Sequence, residues 1–341
     1  MKTFFVTGGA GFIGSAFVRL VLAERPDVRI VNYDLLTYAG NPDNLAGLDD
    51  QRHVFVQGDI CDTERVLPAL PDGADAVINF AAESHVDRSI ASANEFVRTN
   101  VMGTQVLLDA ARAKGVNRFC QVSTDEVMGS LPDDSDELFT EASPFEPNSP
   151  YAASKAAAEH LVRAARETFG LDTVITRCGN NYGPRQFPEK FIPLMIANAL
   201  ADQPIPVYGD GRNVRDWIYV DDHCRAVLDI TENAPAGETY NIGARNERHN
   251  IDVVKSVLDA LGKPHSLITF VDDRLGHDRR YAIDPGKIEN DLGWHTGETW
   301  ESGLEKTIRW YLDNPEWTAR VRSGDYLNYY KQQYGQELGA A

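Results

Sequence analysis

The chain has 341 residues, a formal net charge of −18 at pH 7, 43% hydrophobic residues and 25% charged residues. This composition is typical of a globular protein with one large or two moderate domains and an ample core. The excess of carboxylates would repel a phosphate backbone, which argues against general nucleic-acid binding. Local arginines could still bind an anionic small molecule, so the net charge argues only against nucleic acid as a ligand.

The amino terminus begins with an apolar run that starts like a signal sequence. The run ends at Gly8 and is too short for the apolar core of a signal peptide, so we interpret it as a buried first strand. No segment approaches the roughly 20 consecutive apolar residues of a membrane helix. Cys61, Cys120, Cys178 and Cys224 form no metal-ligand pattern, which favours buried free thiols in a reducing cytoplasm.

The first half of the chain alternates short apolar runs with stretches of helical periodicity. This alternation predicts an α/β fold with a Rossmann-type doubly wound parallel sheet. The predicted strands are 3–6, 29–34, 53–57, 76–80, 119–122 and 173–176, and the predicted helices are 12–23, 64–70, about 91–113, and 151–169.

The pattern changes after about Asn180, where proline, glycine and aromatic residues become more frequent. We therefore expect a smaller C-terminal α/β substrate domain with helices at 250–261, 285–292 and 300–312. The domains are placed at 1–180 and 181–341, and 216–245 is expected to return to the first domain through 220–232 and 239–242. A ligand site is expected in the cleft between the domains.

A glycine-rich segment with glycines at Gly8, Gly11 and Gly14 lies between the first predicted strand and the first predicted helix. Such glycines allow a tight turn, close approach of the backbone to a pyrophosphate, and close packing of the helix on the sheet. The helix N-terminus offers N–H groups to the phosphates. A simple turn is the alternative, but the strand–loop–helix context favours a dinucleotide site.

Two aspartates at predicted strand ends refine this prediction. Asp34 ends the second strand, about 20 residues beyond the last glycine, where a carboxylate binds the adenine ribose and disfavours a 2′-phosphate. The cofactor is therefore predicted to be NAD rather than NADP. Asp59 ends the third strand and is interpreted either as an adenine contact or as the N-cap of the next helix.

Tyr151 and Lys155 are four residues apart on a predicted helix and therefore share one face. A phenol with a pKa near 10 is a poor base at neutral pH, and we expect a neighbouring ammonium, helped by the positive nicotinamide, to lower that pKa. Ser123 and Thr124 follow the 119–122 strand and could hydrogen-bond the same substrate hydroxyl. The four residues predict acid–base chemistry on a hydroxyl group beside NAD.

With these motifs the sequence resembles the extended short-chain dehydrogenase/reductase superfamily and, more specifically, the family of dTDP-glucose 4,6-dehydratases. The resemblance covers nearly the whole chain and is carried by residues 81–89, 123–127, 148–155, 180–184, 187–190 and 276–281. It implies the two-domain fold, tightly bound NAD that is regenerated in each cycle, a dTDP-hexose substrate and a homodimer. In the family, a four-helix dimer interface would place residues 107–111 and 156–161 between subunits.

The adjacent carboxylates Asp125 and Glu126 distinguish a dehydratase from an ordinary dehydrogenase. Loss of water across carbons 5 and 6 of a hexose needs a base for the carbon-5 proton and an acid for the leaving hydroxyl. Two carboxyl groups in one dry site do not readily ionise together, so one keeps a proton. The resemblance implies that Asp125 is the acid and Glu126 the base, in a cycle of oxidation at carbon 4, elimination, and hydride return to carbon 6.

The resemblance also assigns the remaining site residues. The catalytic residues are Thr124, Asp125, Glu126, Tyr151 and Lys155. The cofactor-binding residues are Gly8, Gly11, Phe12, Ile13, Gly14, Asp34, Thr37, Asp59, Ile60, Ala81, Ser84, Thr99, Ser123, Tyr151, Lys155 and Asn181. The substrate-binding residues are Ser84, His85, Thr124, Asn180, Glu189, Lys190, Phe191, Arg215, Asn250, Arg274 and His277. Arg215 and Arg274 are assigned to the diphosphate, which a guanidinium fork suits, with a surface salt bridge as the alternative. No cluster of ligands indicates a metal.

One departure from the family pattern lies beside the carboxylates. Met128 stands where the family usually has tyrosine, and we expect this change to alter the sugar pocket. A sugar-nucleotide 4-epimerase or decarboxylase would share the glycine loop and the Tyr151–Lys155 pair but would not need Asp125 and Glu126. A catalytically silent NAD-binding regulator would keep the glycine loop but would not need the Tyr151–Lys155 pair or the Asp125–Glu126 pair. The base of the nucleotide and the pathway that uses the product stay open.

Overall fold

A computed structural model of the chain describes residues 1–49 and 51–322. Its strands are β1 (Lys2–Thr7), β2 (Val28–Asp34), β3 (His53–Gln57), β4 (Ala76–Asn79), β5 (Phe119–Thr124), β6 (Thr173–Cys178), β7 (Asn180–Tyr182), β8 (Ile205–Tyr208), β9 (Val214–Tyr219), β10 (Thr239–Ile242), β11 (Glu247–His249) and β12 (Ile268–Val271).

The helices follow the strands in alternation through the first half of the chain. They are α1 (Phe12–Glu24), α2 (Thr63–Ala69), α3 (Val86–Ala91), α4 (Asn94–Phe96), α5 (Thr104–Ala113), α6 (Pro150–Phe169), α7 (Phe191–Leu200), α8 (Val220–Asn233), α9 (Asn250–Ala260), α10 (Gly286–Leu292), α11 (Trp300–Asp313) and α12 (Pro315–Val321). A π-helix at Val97–Gly103 joins α4 to α5, and 3₁₀ turns lie at Pro42–Leu45, Asp125–Met128 and His265–Leu267.

The central sheet runs in the order β10-β6-β5-β4-β1-β2-β3, and all of its strand pairs are parallel. The strand order reverses at β1 and β4, which is where a doubly wound sheet opens a ligand crevice. The predicted Rossmann-type sheet is confirmed, and β10, from the second half of the chain, occupies its edge.

Helices cover both faces of this sheet with apolar side chains. On one face, α1 and α8 contribute Phe17, Val21 and Val227 to a cluster that includes Val6 and Ile78 of the strands. On the other face, α2, α5 and α6 bury residues that include Val66, Leu107, Leu108, Ala111 and Val162. Strands buried on both sides read as continuous apolar runs, which is why the sequence pattern located them.

The helical stretch predicted over about 91–113 is confirmed from Asn94 to Ala113, but the π-helix at Val97–Gly103 breaks its α-helical hydrogen bonding, and residues 91–93 are not part of it. The chain ends α3 at Ala91, turns at Ser92 in an extended conformation, and passes through the π-helix before α5 begins. In the π-helix, Asn100 accepts a hydrogen bond from the Glu83 N–H and donates to the Glu83 carbonyl, both at 2.9 Å. Asn100 also donates to Ser154 at 2.8 Å. These contacts join distant segments, so local periodicity did not reveal the break.

The second half of the chain forms smaller elements around an aromatic cluster. A three-stranded sheet runs β11-β9-β7, and a two-stranded parallel sheet pairs β12 with β8. Tyr182, Trp217 and Trp300 pack together beneath α7, α9 and α11. The proposed second domain extends to 341, and its part from 323 onward lies outside the described residues.

Gly14 packs closely against the Gly8 carbonyl where the glycine loop leads into α1, and a substitution can test this contact. A Cβ at Gly14 would lie 2.2 Å from the Gly8 carbonyl oxygen, whereas one at Gly11 would lie 3.3 Å from the same atom. We expect Gly14→Ala to lower the free energy of unfolding by about 1–3 kcal/mol, because backbone must move. Urea denaturation measures this change, with Gly11→Ala as the matched control. Equal stability of the two variants would contradict the prediction.

Candidate active site

The carboxyl ends of the parallel strands open into a cleft of about 370 Å³ between the two halves of the chain. All five predicted catalytic residues and all the predicted cofactor-binding residues line this cleft. Of the predicted substrate-binding residues, Ser84, Thr124, Asn180, Glu189 and Lys190 line it as well. Parallel strands end at one edge of a sheet, so residues far apart in sequence meet there.

The glycine loop forms a closely packed cradle at the bottom of the cleft. Gly8 has a φ of +70°, and a Cβ there would lie 2.6 Å from the Ala81 nitrogen. Helix α1 begins at Phe12 without a side-chain cap at Gly11, so the N–H groups of its first turn lack helical partners. The loop therefore offers backbone N–H groups and a positive helix end to an anion, and it fits a dinucleotide pyrophosphate.

Asp34 and Asp59 line the other end of the cleft. The Asp34 carboxylate accepts hydrogen bonds from the N–H groups of Ala10 at 2.9 Å and Leu36 at 2.8 Å, and burial raises its pKa. Asp59 pairs with Arg98 at 2.5 Å. The N-cap of α2 is Asp62, so the alternative interpretation of Asp59 as that cap is wrong.

Tyr151 and Lys155 lie side by side on α6, but their electrostatics differ from the prediction. The pKa of Tyr151 is raised well above 10, first by burial and then by the charges of Glu126 and Cys178. Lys155 donates a hydrogen bond to the Val122 carbonyl at 2.6 Å, and burial lowers its pKa to about 8. The predicted lowering of the tyrosine pKa is therefore not found, because loss of hydration outweighs the nearby ammonium.

Asp125 and Glu126 begin the 3₁₀ turn directly after β5. The pKa of Asp125 is raised well above its ordinary value by burial and by Glu126. Burial also raises the pKa of Glu126, but Arg274, Arg215 and Lys190 oppose that rise. Asp125 Oδ2 is buried and has no hydrogen-bond partner among the described residues.

Thr124 connects the carboxylates with the tyrosine. Its hydroxyl lies near Tyr151, whose pKa it acts to lower, donates to Asp125 Oδ1 at 3.2 Å, and accepts the Glu126 N–H at 3.3 Å. One hydroxyl therefore lies between the acid–base tyrosine and the carboxylate pair. The same short segment can serve a substrate hydroxyl and a neighbouring carbon.

Glu189 and Lys190 enter the cleft from the segment before α7. Lys190 donates to the Ser84 carbonyl at 2.8 Å, and burial lowers its pKa. Glu189 accepts a hydrogen bond from Arg88 at 3.1 Å, and the pKa of its buried carboxyl is raised. The two residues tie the second half of the chain to the loop after β4.

Six predicted substrate-binding residues do not line the cleft itself: His85, Phe191, Arg215, Asn250, Arg274 and His277. Phe191 stacks on Trp217 with ring centroids 6.0 Å apart and belongs to the aromatic cluster. Asn250 begins α9, where its N–H donates to the Asn213 carbonyl at 2.9 Å. The sequence did not predict that these two residues pack within the second half of the chain.

The other four of this group lie just beyond the carboxylates. Arg215 is buried, donates to the Asp278 carbonyl at 2.9 Å, and lies 4.2 Å from the Tyr281 ring centre. Arg274 pairs with Asp87 at 3.7 Å, and His277 contacts Asp273 at 2.6 Å. Because Arg215 is buried and has no ion pair among the described residues, the surface salt-bridge alternative does not hold for it.

The imidazole of His85 is buried between the carboxylates of Asp87 and Glu189. Its nitrogens lie 3.9 Å from Asp87 and 4.0 Å from Glu189. Burial, together with Lys190 and Arg88, lowers its pKa well below the ordinary value. His85 is therefore a neutral hydrogen-bonding group at neutral pH.

Met128 lies behind the site rather than in it. Its side chain is buried with Val127, Leu131, Phe139 and Tyr281, and Met128 is not among the residues that line the cleft. Met128 therefore does not contact a ligand in the cleft directly, and the expected effect of its replacement of tyrosine on the sugar pocket or on activity stays a prediction. The side chain fills an apolar cluster beneath the 3₁₀ turn.

Sequence reasoning missed several cleft residues. Arg98 comes from the π-helix and Cys178 from the end of β6, and Glu83 and Gln186 also line the cleft. The strand-end rule that located Asp34 applies equally to Cys178 and could have found it. Arg98 lies in a helical stretch without a motif, so no sequence signal marked it.

Two broader features complete the description. Within residues 1–49 and 51–322, no group of three or more His, Cys, Asp or Glu side chains is arranged to hold a metal ion. No helix in this described part of the chain has the length and apolar character that crossing a bilayer requires. The cysteines are free thiols, of which Cys61 is partly exposed and the other three are buried.

Known proteins are similar to this chain in sequence and in fold. A family model described as GDP-mannose 4,6 dehydratase matches residues 5–307. The dTDP-glucose 4,6-dehydratase of Neisseria meningitidis serogroup B is 52% identical over 96% of this chain and 98% of its own length. The dTDP-glucose 4,6-dehydratase 1 of Escherichia coli K12 is 49% identical over the same shares.

A solved structure agrees with these relatives. The crystal structure of a dTDP-glucose 4,6-dehydratase from Streptomyces venezuelae, which has NAD bound, is 50% identical and superposes with a TM-score of 0.91. The alignment covers 94% of this chain and 100% of that chain. This chain therefore belongs to the GDP-mannose 4,6-dehydratase family and, within it, to the dTDP-glucose 4,6-dehydratases.

Proposed function

We propose that the chain is an NAD-dependent hydro-lyase that converts dTDP-glucose to dTDP-4-keto-6-deoxyglucose and water, with the site residues in the roles given below. The observation that carries the proposal is the carboxyl pair directly after Thr124 and beside Tyr151, in which Asp125 is buried and Glu126 is partly buried. A simple dehydrogenase has no use for two such groups at this place.

NAD fits the lower cleft. Gly8, Gly11 and Gly14 with the start of α1 would hold its pyrophosphate, and Asp34 would bind the adenine ribose. The Ser123 hydroxyl is buried in the cleft without a partner among the described residues and is available to the nicotinamide half. When bound, NAD supplies the hydride acceptor for carbon 4 and the hydride donor for carbon 6.

Tyr151 takes the proton from the substrate hydroxyl on carbon 4. Because burial opposes its ionisation, the phenolate depends on positive charge held close to it. Lys155, one helical turn away, supplies that charge while it stays an ammonium. The Thr124 hydroxyl lies near Tyr151 and acts to lower its pKa, which favours the phenolate.

Glu126 and Asp125 carry out the loss of water. The carbon-4 ketone acidifies the carbon-5 proton, which Glu126 removes as a carboxylate stabilised by Arg274, Arg215 and Lys190. Asp125, whose raised pKa keeps it protonated, donates its proton to the leaving hydroxyl on carbon 6. The unequal surroundings of the two carboxyl groups separate the acid from the base.

Arg215 and Arg274 are proposed to bind the diphosphate of the substrate. Arg274 Nε is buried without a hydrogen-bond partner among the described residues, so a guanidinium N–H is available to an oxygen ligand. Both arginines act electrostatically on Glu126, which supports a diphosphate site next to the hexose. Two guanidinium groups here also offset the net negative charge of the chain locally.

We also propose a cytoplasmic homodimer. Leu107, Leu108 and Ala111 are buried against the sheet of the same chain, so these three side chains of the expected 107–111 contact do not face a partner. Instead, Val97 and Met102 expose 50% and 58% of their surface beside α6. Apolar side chains of this size on one helical face are typical of a subunit contact.

Glu126→Gln tests the proposed base. We expect formation of the 4-keto-6-deoxy product from dTDP-glucose to fall on the order of 10²–10⁴-fold, because an amide cannot take the carbon-5 proton. The product is measured by the absorbance of the 4-keto sugar in alkali, and NAD content is measured after denaturation. Glu137 is exposed, so Glu137→Gln is the control for replacing a glutamate by glutamine outside the cleft. Normal turnover by Glu126→Gln with NAD bound would exclude the assignment.

Asp125→Asn tests the protonation state of the proposed acid. Above the pKa of an unfolded aspartate, about 3.9, the unfolded chain ionises while the folded carboxyl stays protonated. Wild-type stability then falls by up to about 1.4 kcal/mol per pH unit until the raised folded pKa is reached. We expect Asp125→Asn to gain stability over the wild type between pH 5 and pH 7, as measured by urea denaturation.

The exposed Asp136→Asn provides the control for that comparison. Its stability relative to the wild type should change little over the same pH range. A constant difference between Asp125→Asn and the wild type from pH 5 to pH 7 would show that Asp125 is ionised in the folded protein.

Met102→Glu tests the subunit contact. A charge on the exposed apolar face would have to be buried in the dimer, so we expect a monomer at micromolar concentration by light scattering. Phe270→Glu, at a side chain that exposes 57% of its surface on β12, should leave the dimer intact. A dimeric Met102→Glu would place the contact elsewhere.

A further inference from the structure

A buried ion pair lies directly behind the proposed catalytic residues. The Arg177 guanidinium donates from Nε to both oxygens of the Glu159 carboxylate, at 3.2 Å and 3.0 Å, and from Nη2 to Oε2 at 2.8 Å. The exposed fractions of the two side chains are 5% and 3%. The pair is therefore a fork held away from water.

The positions of the two residues connect it with the site. Glu159 lies on α6, one helical turn beyond Lys155, so the two side chains share a face of the helix. Arg177 lies on β6 immediately before Cys178, which lines the cleft. The ion pair thus bridges the helix that carries Tyr151 and Lys155 to the strand beside them.

Arg177 also reaches the segment that carries the carboxyl pair. Its Nη1 lies 3.6 Å from the Met128 sulfur and donates to the Glu141 carbonyl at 3.4 Å. Met128 ends the 3₁₀ turn that begins at Asp125. Two elements that hold proposed catalytic side chains, α6 and the 3₁₀ turn, therefore meet at one guanidinium group on β6.

Burying such an ion pair costs desolvation free energy, and a gain in protein stability alone does not explain why the pair is there. Removing two charges from water is expensive, and a buried ion pair is often no more stabilising than apolar side chains of the same volume. Two apolar residues could fill this space between α6 and β6. A requirement for negative charge in the neighbouring active site would explain why this pair is charged.

Lys155 is the neighbour that needs a negative charge. The ionisable groups on the elements around it are Tyr151 and Glu159 on α6, Cys178 on β6, and Asp125 and Glu126 after β5. Burial lowers the pKa of Lys155, and Glu159 is the strongest influence in the opposite direction. A buried lysine without that carboxylate would lose its proton more readily.

We propose that Glu159 and Arg177 are positioning residues of the active site: Arg177 fixes the Glu159 carboxylate, and Glu159 keeps Lys155 as an ammonium next to Tyr151. The inference rests on the role proposed above for Lys155. It extends the site by a charged layer that touches neither substrate nor cofactor.

The test is the pH profile of kcat for the NAD-loaded enzyme with dTDP-glucose. Loss of the proton from Lys155 should produce an alkaline limb in the wild type. In Glu159→Gln the limb should move to lower pH by about one unit, because an opposite charge has been removed. Glu159→Asp keeps the charge, so its limb should stay at the wild-type position even if kcat falls.

Asp172→Asn is the matched control, since it breaks another forked ion pair, which joins the residues immediately before β5 and β6 at the opposite end of these strands. Arg118 donates to both oxygens of Asp172 at 3.0 Å. This variant should lose stability without moving the limb. If Glu159→Gln does not fold, the double variant Glu159→Gln/Arg177→Gln removes both buried charges and should show a smaller downward shift, because the lost Arg177 charge had opposed that of Glu159.

The outcomes separate the inference from the proposed function. A wild-type limb that stays in place in Glu159→Gln and in the double variant would overturn the inference alone. A wild-type profile without an alkaline limb would overturn the role of Lys155 and the inference with it. A limb that also moves in Glu159→Asp would show a merely geometric role and would overturn the electrostatic part of the proposal.

Discussion

Loss of hydration is the constraint on which the chemistry of this site depends. Tyr151, Asp125 and Lys155 are buried together at the ends of adjacent elements, and in each case burial is the largest influence on the pKa. Burial keeps the carboxyl group protonated, opposes the phenolate, and weakens the ammonium. The site therefore has to hold compensating charges close at hand, and the arginines and Glu159 lie where such charges are required.

The parallel sheet makes this concentration of polar groups possible. Backbone hydrogen bonds are satisfied within the sheet, so the strand ends can present side chains to a common cleft without leaving buried N–H and C=O groups unpaired. Two apolar clusters on the faces of the sheet hold the strands and helices in register. Catalytic side chains then occupy the edge where apolar packing stops.

Much of this could be predicted because local patterns reflect local structure. Helix α6 begins and ends within a residue of its predicted bounds, since Ser149 caps its start and Gly170 adopts a left-handed conformation at its end. The break before α5 and the position of Met128 depend on contacts with distant segments, which periodicity does not encode. The pKa of Tyr151 was misjudged for a similar reason, because a Tyr–Lys spacing gives the neighbour but not the depth of burial. Short elements such as β7 and β11 carried no signal above the loops around them.

The last described helix reaches back to the first loop of the chain. The Trp317 indole N–H donates to the Asn44 side chain at 3.0 Å, and Asn44 in turn donates to the Ala10 carbonyl at 2.9 Å within the glycine loop. The edge strand β10 likewise comes from the second half of the chain. During synthesis on the ribosome, the nucleotide cleft therefore cannot reach its final form when its own N-terminal residues emerge. It is completed only after more than three hundred residues have been translated, so a truncated chain would carry the loop without its anchor.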